Sequence, residues 1–179
     1  MPHDFLTEVT QQWYHPLYKF AYSLTRNPDD ALDLTQNAFH KLATKGQNLR
    51  EKSKVKSWLF SVVHREFIDQ YRRRQRYPNT PLEFAPEPKT SENSSPGRGL
   101  DRQRAVQALS EMEEKFRAPL TLFYLEQFSY REIAEVLGIP IGTVMSRLRR
   151  AKNHLRKELE ETDQSTPNKT ITFPISSHG

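Results

Sequence analysis

The sequence predicts an all-α fold: two small helical domains joined by a flexible, proline-rich linker. Three observations carry this. Leu, Arg, Glu, Lys and Ala are common, glycine occurs only six times in 179 residues, and no stretch alternates cleanly as a strand should. Apolar residues recur at three- and four-residue intervals on either side of a central gap. Within that gap, from Tyr77 to Leu100, Pro78, Pro81, Pro86, Pro88 and Pro96 interrupt any period. The expected divisions are a first domain at 1–76, an extended linker at 77–100, a second domain at 101–160 and a flexible tail at 161–179.

In the first domain, Phe5, Leu6, Val9, Trp13, Leu17, Phe20, Ala21 and Leu24 form one side of an amphipathic helix. Pro16 lacks an N–H and crowds the preceding turn, so a kink or a break is expected there. Asn27-Pro28-Asp29-Asp30 is a start signal. It offers a capping amide, a proline at the first helical position and acids at the positive end of the dipole. The helix from Pro28 to about Thr44 can turn Ala31, Leu34 or Ala38, and Leu42 inward. Asp33, Gln36, Asn37 and His40 then share the opposite side, and Gly46 closes the helix.

A short, basic segment from Gln47 to Lys56 leads into a third helix. Trp58, Leu59, Val62, Val63, Phe67, Ile68 and Tyr71 make it central to the domain, with Trp58 and Phe60 expected in the core. It ends in Arg72, Arg73, Arg74 and Arg76. A helix dipole explains part of that cluster, and contact with phosphates explains the remainder.

The second domain is expected to start at a cap on Asp101, with a helix through Ala105, Val106, Ala108 and Leu109. A second helix carries Phe116, Leu120, Phe123 and Leu125 and tolerates Pro119 if it lies in the first turns. From Ser129 to Arg156 the chain reads as two helices joined by a tight turn. Ser129 and Glu132 have capping-box spacing. Gly138 suits the left-handed residue that ends a helix, and Pro140 fits the start of the next. On the second of these helices Val144, Leu148, Ala151 and Leu155 fall on one stripe. Ser146, Arg149, Arg150 and Asn153 lie opposite, flanked by Thr143 and Arg147. An outward face of hydroxyl, guanidinium and amide groups matches base edges and phosphates in the DNA major groove. This is a DNA-reading helix-turn-helix. The tail, with its TITFPI segment, either stays flexible or adds to a partner as a strand.

Composition narrows the functional classes. Lys and Arg number 27 against 22 acids, a basic balance that suits phosphates. Absence of cysteine excludes disulfides and thiolate zinc sites. The histidines at 3, 15, 40, 64, 154 and 178 form no helical i, i+4 pair, so no metal site, no cofactor and no catalytic constellation is assigned. No apolar run is long enough to cross a bilayer, and no signal peptide precedes the first helix, so the expected location is cytoplasmic, without membrane insertion.

The motifs resemble those of bacterial RNA polymerase sigma factors of the extracytoplasmic-function class. DALDLTQNAF is similar to the family's D-A-x-D-x-x-Q-x-x-F. SWLFSVVHREFIDQYRR is similar to W-L-x-x-I-A-x-N-x-x-x-D-x-x-R, and SYREIAEVLGIPIGTVMSRLRRA to S-x-x-E-I-A-x-x-L-x-x-x-x-G-T-V-x-S-R-L-x-R-A. The resemblance covers about residues 10–76, as sigma region two, and 101–157, as sigma region four.

It implies a subunit without catalysis of its own that binds core RNA polymerase at the β′ clamp coiled coil and the β flap. Such a subunit directs initiation at promoter DNA and is often held by an anti-sigma factor. Asp33, Gln36 and Asn37, with His40 on the same face, are implied to dock on the clamp. Lys54, Lys56, Arg65, Arg72 and Arg73 are implied to meet the phosphates of a melted −10 strand, with His64 and Arg65 at its base pocket. Arg65 stands where the family commonly has Asn. For the −35 element, Ser146, Arg149 and Arg150 are implied to face bases and Thr143 and Arg147 phosphates. Met145 replaces a usual Lys or Arg, either losing a contact or meeting a thymine methyl. The competing reading is a stand-alone helix-turn-helix regulator, which leaves the Asp33–Gln36 face and the arginine-ended helix without a task.

Overall fold

The computed structural model describes residues 3–46, 52–76 and 107–160. The expected linker at 77–100, the Asp101 cap with Ala105 and Val106, and the tail lie outside them. The described residues are helical, as expected: α1 (His3–Thr25), α2 (Pro28–Lys45), α3 (Lys52–Arg76), α4 (Glu114–Tyr124), α5 (Tyr130–Leu137) and α6 (Ile141–Glu160), with a helical turn at 107–111 before α4.

Pro16 neither ends nor splits α1, which runs unbroken through it; the expected break is corrected. Leu17, Phe20, Ala21 and Leu24 beyond the proline are buried, and that packing outweighs one lost backbone bond. α2 begins as its start signal requires, the Asn27 carboxamide oxygen accepting from the N–H groups of Asp29 and Asp30 at 2.8 and 3.1 Å. Ala31, Leu34, Ala38 and Leu42 all face inward. α3 starts earlier than expected, so Lys54 and Lys56 sit on the helix itself rather than on a preceding segment.

The helix-turn-helix forms with its local signals intact. Ser129 Oγ accepts from the Glu132 N–H at 3.3 Å, and the Glu132 carboxylate accepts from the Ser129 N–H at 2.8 Å. Gly138 takes the left-handed conformation (φ 64°) that lets the chain turn. The Pro140 carbonyl accepts from the N–H groups of Thr143 and Val144 in the first turn of α6. Leu125, expected on the helix with Phe116, Leu120 and Phe123, stands at the C-terminal cap of α4 and is 63% exposed.

The two groups of helices share one core. α1, α2 and α3 pack together, α4, α5 and α6 pack together, and α1 rests on α4 while α3 rests on α5. Phe60 of α3 is the hinge point of that core: its ring meets Phe20 of α1 at 5.2 Å and Phe128, just before α5, at 5.1 Å. All three are almost wholly buried.

Candidate nucleic-acid and polymerase interfaces

Three sets of polar side chains were expected to contact partners, and the fold treats them differently. Asp33, Gln36, Asn37 and His40 are all exposed on one side of α2, opposite its buried stripe. That face is open along its length.

On α6, Val144, Leu148 and Ala151 are buried, with Leu155 packed against the core. Met145, Ser146, Arg149 and Arg150 are exposed, and Thr143 and Arg147 are half-buried at the flank. The Ser146 hydroxyl donates back to the Thr143 carbonyl at 3.0 Å. Exposed arginines on that helix, beside a hydroxyl and a thioether, make a surface that can enter a groove and read it.

The third set is divided. Lys54, Arg72 and Arg73 are exposed. Arg65 is exposed but turned back on its helix, with Nε to the Ser61 carbonyl and Nη2 to Ser61 Oγ, both at 3.1 Å. Arg74 is occupied by Asp30, its Nη2 donating to both carboxylate oxygens at 3.0 and 2.9 Å, which fastens the end of α3 to the start of α2. Lys56 and His64 face the second group of helices. The Lys56 ammonium lies 4.3 Å from the Phe128 ring centre and 5.1 Å from that of Trp13, and donates to the Glu126 carbonyl at 2.5 Å. Burial pushes its pKa down, against the opposing charges of Glu126 and Glu132. The Glu126 carboxyl is itself pushed up by burial, with Lys56 and Lys19 pulling the other way. His64 Nε2 is 3.3 Å from Glu114 Oε1 at the start of α4.

The interface between the halves depends on a residue that sequence reasoning passed over. Arg117 is 6% exposed. Its guanidinium donates to the carbonyls of Ser23, Leu24 and Met112, and more distantly to that of Leu109. The last carbonyls of α1 have no partner within the helix, and a cation there also meets the negative end of the dipole. Burial, then the nearby Arg26 charge, lower the Arg117 pKa to about 10, which leaves it charged at neutral pH. The signal was present: a lone arginine between Phe116 and Ala118-Pro119-Leu120 stands on an apolar stripe, where only a fully bonded one is tolerated.

Comparison with known proteins places this architecture. Residues 9–77 match Sigma-70 region 2, and residues 102–155 match Sigma-70, region 4. The chain belongs to the sigma-70 family. Several of its relatives within that family are named as extracytoplasmic-function (ECF) sigma factors. The ECF RNA polymerase sigma factor SigE of Mycolicibacterium smegmatis is 34% identical over 88% of this chain, which spans 64% of that protein's length. The RNA polymerase sigma factor YlaC of Bacillus subtilis is 26% identical, over 89% of this chain and 94% of its own. A solved structure of the sigma factor RpoE in complex with the anti-sigma factor NepR, from Bartonella quintana, superimposes with a TM-score of 0.71 at 30% identity. That likeness covers 89% of this chain and 98% of that one, so it extends over both halves.

Proposed function

We propose that this sigma factor is a dissociable promoter-specificity subunit that binds core RNA polymerase, reads the −35 and −10 elements and opens the DNA by binding alone. The observation that carries the reading is the presence of regions two and four in one chain, each with a polar face left exposed by the fold. A stand-alone regulator is not favoured, because region two accounts for the first half of the chain. The subunit performs no catalysis, and works in the cytoplasm where polymerase and promoter are. Among the described residues, no helix is long and apolar enough to cross a membrane. An anti-sigma factor is a fitting partner, by likeness to the RpoE complex.

In this reading the α2 face of Asp33, Gln36, Asn37 and His40 docks on the β′ clamp coiled coil, and region four meets the β flap. Lys54, Lys56, His64, Arg65, Arg72 and Arg73 serve the melted −10 strand. Thr143, Met145, Ser146, Arg147, Arg149 and Arg150 serve the −35 duplex. The deciding experiment adds the purified chain to core polymerase and looks for promoter-specific run-off transcripts. Tight binding of duplex DNA alone, with no transcript from any core enzyme, overturns the reading.

Two substitutions separate the faces. Arg149→Ala is expected to weaken −35 dependence by about 1–3 kcal/mol, the worth of a bidentate contact to guanine. The measure is transcription from promoters with intact and scrambled −35 elements; an unchanged ratio removes Arg149 from the base-reading set. Asp33→Ala is expected to weaken capture of the chain by core polymerase while leaving α2 folded, since the side chain is exposed. Undiminished co-purification with β′ counts against that docking face.

A further inference from the structure

Among the described residues five large apolar or aromatic side chains stand exposed: Tyr14, Tyr71, Leu125, Ile141 and Met145. Two of them lie on α6, Ile141 at 48% exposure and Met145 at 53%. Four residues apart, they are neighbours on the helix surface, and exposed Arg149 continues the same row one turn further on. Ile141 is the first residue of α6, and the N-terminal residues of a recognition helix are the ones that reach base edges. Gly142 beside it is helical, and a Cβ added there would meet nothing within 4 Å. The fold therefore does not require glycine at this position, although glycine weakens a helix. Its bare backbone leaves room for a base pair to come close to Ile141 and Met145.

Ser146, Arg149 and Arg150 offer hydrogen bonds to base edges. The Ile141 side chain offers none, and the Met145 thioether is only a weak acceptor. The one apolar group that base edges present in the major groove is the C5-methyl of thymine. We infer that Ile141 and Met145 form a methyl-reading edge of α6, which selects thymines in the −35 element by apolar contact. The inference rests on the −35 reading made above. It gives Met145 a contact of its own and adds Ile141, which lies outside the expected reading set. Side chains one turn apart have Cβ atoms about 5–6 Å from each other. Bases on one strand rise by about 3.4 Å, so the pair spans one to two base steps and takes two thymines, on one strand or across both. A protein partner fits this edge less well. Two side chains make a small apolar patch, and exposed Ser146 and Arg149 bound it with a hydroxyl and a cation.

The test uses the holoenzyme assembled from the full chain and core polymerase, with a pool of promoter duplexes randomised at the −35 element. Thymines should be enriched at two neighbouring or alternate base pairs; retained duplexes without thymine there overturn the proposal. The best-retained duplex is then remade with deoxyuridine for every −35 thymine, which removes the methyl and leaves each hydrogen-bonding group in place. Binding by the parent should fall about fourfold for each methyl contacted, and about fifteenfold for two. Met145→Ala and Ile141→Ala should each bind the thymine duplex more weakly and lose less than the parent on the change to uracil. The two together should lose nothing further. Should Ile141→Ala loosen the fold by circular dichroism, Met145→Ala alone, at an exposed position, carries the test. An unchanged affinity for the uracil duplex overturns the proposal, and so do variants as sensitive to uracil as the parent. Variants that assemble poorly with core polymerase yet keep the parent's uracil sensitivity assign the edge to a protein partner and overturn it too. A duplex with a scrambled −35 element separates the failures. If scrambling weakens binding by the parent, the −35 reading stands and only the methyl edge falls; if it does not, the −35 reading falls with it.

Discussion

Alanine in place of Phe60 is expected to lower the stability of the whole chain by about 3–5 kcal/mol, the range for truncating a fully buried aromatic ring. The side chain has no exposed surface and sits between Phe20 and Phe128, so its loss leaves a void on both sides. The tilted contact with Phe20 and the edge-on contact with Phe128 forfeit a further fraction beyond the buried area. Urea unfolding tests this with two probes. Trp13 and Trp58 are both in the first half, so fluorescence reports on that half, while far-ultraviolet circular dichroism reports on every helix. Because one core runs through both halves, both midpoints should fall together. A loss confined to the fluorescence transition would show that the halves unfold separately. A loss under about 1 kcal/mol would show that the neighbouring rings collapse into the space.

That ring marks where sequence reasoning stopped. Helix ends were legible because caps are local: Asn27, the Ser129–Glu132 pair and Gly138 each satisfy or free a backbone group within three residues of themselves. The reading face of α6 was legible for a similar reason, since a 3.6-residue period fixes which side chains share a side. Pro16 does not break its helix. The local penalty is real, but the buried residues that follow it, Leu17 and Phe20, hold the helix together from outside. Periodicity also placed Phe60 in a core without saying whose. An apolar stripe shows that a face is covered and carries no record of the partner that covers it. Periodicity likewise gave no sign that Lys56 and His64 would meet the second group of helices, where their partners, the Glu126 carbonyl and the Glu114 carboxylate, lie 70 and 50 residues away along the chain.

Arg117 tests the polar half of the same interface. Methionine there keeps the length and apolar body of the side chain while removing its donors. The carbonyls of Ser23, Leu24 and Met112 then lose their bonds within a site too enclosed for water to replace them. A hydrogen bond from a charged donor contributes about 1.5–3 kcal/mol, and an acceptor stranded by burial costs about 1–3 kcal/mol. Against this stands the relief of no longer burying a cation, whose cost shows in the lowered pKa. The expected balance is a loss of about 2–4 kcal/mol. Lysine should recover part of it, since an ammonium keeps the charge at the end of α1 but cannot fork to three carbonyls. The measurement is the urea midpoint of Arg117→Met and Arg117→Lys beside the parent chain, followed by tryptophan fluorescence and by far-ultraviolet circular dichroism. A methionine variant as stable as the parent would mean that the apolar rings alone hold the halves together. A variant that is less stable by both probes would show that the bonds from Arg117 to the end of α1 hold the two groups of helices together beyond what the rings supply.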